Sequence, residues 1–257
     1  MLLKRDVFFT PAGKMRTLHI WLPEDYDHAD ARYPVMYFFD GHNLFCDADA
    51  TYGKSWGLAA FLGAWEKPII IVGLECGHEG DERLREYCPY AVRRFGGIAG
   101  TGERTLQWMI QELKPLIDRE YRTYFFREAT AIGGSSMGGL MSLYAAVKFN
   151  RYFSKAACLS SAISLCMPAL ARDIAQSAIH PDTRVYLSWG TQEAGAGPGT
   201  PEAEMRTPTA RRNLRLAHAL TEKGANVRFY CQQGGRHCEA DWEKQLTRLM
   251  NFLWLDA

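Results

Sequence analysis

Residues 133–139 read Gly-Gly-Ser-Ser-Met-Gly-Gly, and a G-x-S-x-G frame fits there in one way only, as Gly134-Ser135-Ser136-Met137-Gly138. The central serine is therefore Ser136 and not Ser135. Glycines on either side let the chain turn sharply while holding a serine in a strained conformation; larger flanking residues would strike neighbouring backbone. The run Ala129-Thr130-Ala131-Ile132 before the turn reads as a buried strand, and Leu140 to Ala146 after it reads as a buried helix. A serine in that strand–turn–helix setting sits at a helix N-terminus, where free N–H groups and the helix dipole favour developing negative charge. The chemistry it suits is nucleophilic attack on an acyl carbonyl.

A serine hydroxyl is a poor nucleophile until a base takes its proton. Around a turn of this kind the partners follow in the order Ser, then Asp or Glu, then His. His180, His218 and His237 lie after Ser136. His180 precedes Pro181-Asp182 at the entry to a strand, the wrong end of a parallel sheet, and His218 is in mid-helix. His237 follows a strand and the loop Gln232-Gln233-Gly234-Gly235-Arg236, at the end of the sheet where such folds place their sites. The acid should follow the preceding strand, Val185 to Gly190, and Glu193 is the first carboxylate there, with Glu202 and Glu204 as competitors.

Two backbone N–H groups should receive the oxyanion: that of Met137, directly after the nucleophile, and one from the loop Asp40-Gly41-His42-Asn43-Leu44-Phe45, where His42 is the first choice. Asn43, Trp56 and Arg85 are candidate substrate contacts. Trp56 could equally cap the core, and Arg85 could serve only in an ion pair with Glu86 or another nearby acid. His78 lies close to Cys76, but two potential ligands do not make a zinc site, so neither a metal nor an organic cofactor is expected.

These groups need a scaffold. Residues 4–10 and 16–23 read as strands around a turn at Pro11-Ala12-Gly13. Tyr33–Asp40 and Lys67–Glu75 are nearly continuous apolar runs, as in strands covered on both faces, and Ala129–Gly133, Ala156–Leu159, Val185–Trp189 and Val227–Cys231 follow. Between them, 101–121, 137–148, 164–178, 209–224 and 240–253 show apolar residues at helical spacing. Strands alternating with helices imply a mainly parallel sheet covered by helices, with the first two strands as an antiparallel hairpin at one edge. Nothing resembles a linker, so residues 1–257 are expected to form a single domain. Residues 194–209, rich in Gly, Pro and Glu, read as a surface loop bordering the site.

The balance of 30 Lys plus Arg against 29 Asp plus Glu gives no field that would favour nucleic acid or a membrane. No apolar run is long enough to span a bilayer, and the N-terminal residues lack a signal-peptide core. The seven cysteines are odd in number and lack a C-x-x-C pair, which points to free thiols and a reducing, cytoplasmic compartment.

With these parts placed, the chain resembles a broad esterase family that includes feruloyl and acetylxylan esterases, siderophore esterases, S-formylglutathione hydrolases and mycobacterial mycolyltransferases. The resemblance is carried by Tyr33–Phe45, Arg85-Glu86-Tyr87-Cys88-Pro89, Glu112–Asp118, Tyr121-Arg122-Thr123, Ala131–Tyr144, and Gly234-Gly235-Arg236-His237 with Trp242. It implies an α/β-hydrolase fold and puts the triad on Ser136, Glu193 and His237. The family commonly has Gln where this chain has His42. The expected activity is hydrolysis of a small acylated sugar, phenolic or siderophore-type ester through an acyl-enzyme. The alternatives are an acyltransferase on the same scaffold and a binding protein that has kept only the fold.

Overall fold

The computed structural model describes residues 1–93, 97–193 and 199–256. Eight strands form one sheet: β1 (Leu2–Phe9), β2 (Lys14–Trp21), β3 (Val35–Phe39), β4 (Ile70–Leu74), β5 (Thr130–Ser135), β6 (Lys155–Leu159), β7 (Arg184–Gly190) and β8 (Asn226–Gln232). Their order is β1-β2-β4-β3-β5-β6-β7-β8. From β4 to β8 every pairing is parallel, while β1–β2 and β2–β4 are antiparallel. The hairpin turn is closed by Gly13, whose φ of 64° suits a residue without a Cβ.

The strand sequences explain the layers. Every residue of β3, β4 and β5 is buried. Because successive side chains point to opposite faces, each strand feeds two cores. Val35, Tyr37 and Phe39 of β3 join one cluster with Val72 and Ile132; Met36 and Phe38 join the other with Ile71 and Ala131. Strand β8 lies at the sheet edge and is only partly covered, with Asn226, Arg228 and Phe229 exposed, as suits an edge.

The helices are α1 (Leu58–Ala64), α2 (Glu82–Glu86), α3 (Gly102–Trp108), α4 (Lys114–Glu120), α5 (Met137–Lys148), α6 (Met167–Gln176), α7 (Pro201–Glu204), α8 (Pro208–Glu222), α9 (Glu239–Glu243) and α10 (Leu246–Trp254). A π-helical stretch, Met109–Leu113, joins α3 to α4, so the span expected over 101–121 runs on with one wider turn. The span expected over 240–253 is broken between Glu243 and Leu246 into α9 and α10. Part of the expected surface loop is helical, since α7 and the start of α8 fall within it; its residues 194–198 lie outside those described. No helix among the described residues is long and apolar enough to cross a membrane.

Strand order puts the chemistry in one place. The chain runs from β3 outward to β4 and then crosses back to β5 on the other side of β3, and a crevice opens at the carboxyl ends of strands where the winding reverses in this way. Helix α5 leaves from that end, and its residues from Met137 to Val147 are buried. Leu140, fully buried in the first turns of α5, should be a sensitive point: Leu140→Ala is expected to cost about 2–5 kcal/mol. Urea unfolding of the two proteins would measure it, with the part-exposed Lys148→Ala as a control close to wild type.

Candidate active site

Ser136 stands between β5 and α5 with φ 57° and ψ −118°, outside the regions open to most L-residues. Three backbone bonds over-determine this conformation. The Ser136 N–H donates to the Leu159 carbonyl at 3.0 Å, and the Ser136 carbonyl accepts from Ala162 at 2.9 Å and from Leu140 at 3.1 Å. The flanking glycines are needed for space, since a Cβ at Gly134 would lie 2.8 Å from the Gly138 backbone and one at Gly139 2.8 Å from the Leu159 carbonyl oxygen. The Ser136 side chain remains partly open to solvent, whereas Ser135 is buried.

The loop after β3 is strained as well. Asp40 adopts φ 58° and ψ 52°, and its buried carboxylate takes a two-pronged bond from Arg83 of α2, Nε and Nη2 each at 2.7 Å. Its own N–H donates to the Tyr87 hydroxyl at 3.3 Å. Gly41 follows, pressed so closely on β4 that a Cβ would meet the Gly73 carbonyl carbon at 2.4 Å. This contact sets the path of His42 and Asn43. Among the described residues, the N–H groups of Met137 and His42 make no hydrogen bond. The His42 Nε2 is 3.0 Å from Thr51 Oγ1, and burial holds its pKa below the usual imidazole value, which favours the neutral ring.

The other half of the site hangs from β7 and β8. Glu193 is mostly buried, and His237 Nδ1 lies 3.4 Å from its Oε2, a long contact. The other oxygen of Glu193 is fixed more firmly, by the Gly190 N–H and by Ser160 Oγ, each at 2.6 Å. Ser160 in turn accepts from the Trp242 indole at 2.8 Å, and the His237 ring stands edge-to-face on Trp242 with centroids 5.2 Å apart. The two loops interlock through the backbone: Gln192 donates to Gly235 at 2.9 Å, and a Cβ at Gly190 would lie 2.2 Å from the Gly235 oxygen.

Ser136 and His237 open into one cavity of about 590 Å³, together with Asp40, His42, Asn43, Tyr52 and Trp242. A hollow of about 790 Å³ beside Trp21 and Leu62 lies at the opposite end of the strands and holds none of these groups. The cavity also takes in Glu239, whose pKa is raised by burial.

The remaining candidates fall elsewhere. His180 pairs with Asp182, and His218 lies near Glu222 on the exposed side of α8. Glu202 is exposed, and buried Glu204 accepts from the Trp189 indole at 3.2 Å. Asn43 reaches the cavity, but its Oδ1 accepts from the Thr51 N–H at 2.9 Å. Trp56 is a core residue against Phe38 and Trp242. Arg85 pairs with Asp81 at the surface, 3.0 Å apart, while Arg83, two residues earlier, lines the cavity. Sequence reading passed over Arg83 and Ser160. The first carried no motif; the second was signalled only by its position at the end of β6.

Comparison with known proteins agrees with this architecture. The chain is 24% identical over 247 residues to the Bacillus subtilis protein YbbA, covering 93% of this chain and 92% of that one. It is 32% identical over 149 residues to an esterase of Mycobacterium tuberculosis, covering 58% of this chain but only 29% of the relative. Among solved structures, an IroE-like serine hydrolase from Shewanella oneidensis superposes with a TM-score of 0.74 at 19% identity, over 98% of this chain and 79% of the other. The enterobactin esterase of Shigella flexneri gives 0.73 at 16% identity, over 98% and 59%. At such identities the structures attest the α/β-hydrolase fold. The match that reaches function is to the family described as "Putative esterase", whose model runs from residue 11 to residue 253, through the strained serine turn and the loops of Glu193 and His237 alike; the chain belongs to that esterase family.

Proposed function

We propose that the protein is a serine carboxylic-ester hydrolase in which Ser136, His237 and Glu193 work as a triad. The observation that carries this reading is the contact of His237 Nδ1 with Glu193, which leaves the far side of the imidazole available in the cavity that Ser136 lines. His237 Nε2 takes the proton of Ser136 Oγ as the oxygen attacks the ester carbonyl. Glu193 holds the ring in the tautomer that leaves Nε2 free and stabilises the imidazolium that forms. The oxyanion is received by the unused N–H groups of Met137 and His42, at the positive end of α5. Collapse expels the alcohol, which leaves with the proton from His237. Water, deprotonated by the same imidazole, then releases the acid and restores Ser136. Because both oxyanion donors are backbone groups, the presence of His at position 42 in place of Gln leaves this step intact.

For substrate, the reading extends to a small phenolic, siderophore-type or acylated-sugar ester. A polar cavity with aromatic side chains at Tyr52 and Trp242 supports this, as does the likeness in fold to a ferulic acid esterase and to the enterobactin esterase.

Ser136→Ala is expected to lower kcat on a p-nitrophenyl or feruloyl ester by roughly a thousandfold or more while leaving the fold intact. Ser135→Ala should keep substantial activity, and a fluorophosphonate should label the native protein on Ser136 alone. A dead Ser135 variant beside an active Ser136 variant would refute the assignment.

Glu193→Gln should cost on the order of a hundredfold or more in kcat, because the ring loses its orienting charge. Steady-state kinetics of both proteins at one pH check this. Full activity in the Gln variant would remove Glu193 from the mechanism and leave the nucleophile standing.

A further inference from the structure

Strands β3 and β4 are parallel neighbours, so the loops at their carboxyl ends meet. Sequence alone offered Cys76 and His78 as a pair without further ligands. The fold adds His42 from the other loop, and one ligand atom from each of the three residues lies within 4.8 Å of the others. His42 is 6% exposed and Cys76 3%, and the Nδ1 of His42 is a buried nitrogen without a hydrogen-bond partner. An apolar wall would not need a nitrogen there, and a buried polar atom left unpaired is costly.

The outer contacts of the two imidazoles match. His42 Nε2 is held by Thr51 Oγ1 at 3.0 Å, and His78 Nε2 lies 3.3 Å from Glu75 Oε2. The Glu75 carboxylate can only accept, so it puts the proton of His78 on Nε2 and leaves the lone pair on Nδ1; the Thr51 hydroxyl can accept from His42 Nε2 in the same way, the arrangement that orients metal-bound histidines. Both inner groups are rigidly placed, His42 by the Gly41–Gly73 contact and Cys76 by its position two residues past β4. The third, His78, has a side chain 57% exposed and is free to swing inward.

We propose that His42 Nδ1, Cys76 Sγ and His78 Nδ1 form a binding site for a borderline-soft divalent cation, zinc above all. Two imidazoles and a thiolate supply three corners of a tetrahedron. The fourth corner opens toward the cavity that holds Ser136 and His237, where a water molecule or an anionic oxygen of a ligand would complete the coordination. On binding, Cys76 gives up its thiol proton to solvent as the metal–sulfur bond forms, so each cation taken up releases one proton.

The test uses the full chain, stripped with chelator, and reads binding rather than turnover. Co2+ serves as the spectroscopic probe, and Zn2+ is titrated against a chromogenic chelator. One equivalent of Co2+ should produce a thiolate-to-cobalt charge-transfer band together with four-coordinate d–d bands. Cys76→Ser should abolish the charge-transfer band, and both it and His78→Ala should weaken Zn2+ binding at least about tenfold. His78 is exposed, so its variant carries the test even where Cys76→Ser disturbs the packing. Absence of a stoichiometric cobalt band in the folded parent, or Zn2+ affinity unchanged in His78→Ala, would overturn the site. A protein that binds Co2+ as described but hydrolyses no ester would uphold it and count only against the proposed activity.

Discussion

Everything at the upper end of the sheet is arranged around one unfavourable backbone conformation, that of Ser136. A residue with φ 57° and ψ −118° persists only where its surroundings leave it nowhere else to go. Here the surroundings are the end of β6, which accepts the Ser136 N–H through Leu159, and the start of the next loop, which reaches back from Ala162. The glycines at 134, 138 and 139 follow from that demand, because the start of α5 lies almost on β5 and β6 and a Cβ at Gly138 would come within 2.9 Å of the Phe39 side chain of β3. Burial of α5 to Val147 supplies the packing energy that offsets the strain.

The same method recurs on either side. After β3, Asp40 takes a left-handed conformation, locked by the Arg83 guanidinium and the Tyr87 hydroxyl. After β6, Ser160 has φ 46° and ties Glu193 to Trp242. Glycine pairs weld loops to neighbouring strand ends where backbones touch, Gly41 to Gly73 of β4 and Gly235 to Gly190 of β7. Local strain is thus concentrated at the strand ends, and the apolar strands beneath supply a rigid base for it.

The sequence displayed most of the scaffold and hid most of the supports. Continuous apolar runs and helical spacing located the strands and the principal helices, because burial writes itself into residue type over many positions. The hairpin at the sheet edge was legible for the same reason. The break between α9 and α10 was not, since the apolar spacing runs on across it. The strained serine was legible through its glycines, and Glu193 and His237 through their order after two strands; the fold brings their side chains into contact. Arg83 and Ser160 left no such trace. Their roles arise from single side-chain contacts across 43 and 33 residues of chain, which no local pattern records. Arg85 shows the converse: it stands in a family-like stretch, yet its side chain turns to Asp81. The His42–Cys76–His78 cluster was half visible, as its third member comes from another strand end.

The position of β8 at the margin of the sheet has a thermodynamic consequence. Ser136 rises from β5, with paired strands on both sides, whereas His237 follows the outermost strand, which has a neighbour on one side only. Edges open locally at lower free energy than centres do. On the proposed mechanism the catalytic base therefore rests on the part of the sheet most prone to fraying. Mild denaturant or warming would then silence turnover while the central strands still protected their amides from hydrogen exchange. The enzyme's working temperature would be set by the cohesion of β7 with β8, and substitutions that strengthen that single seam would raise it without touching the global unfolding transition.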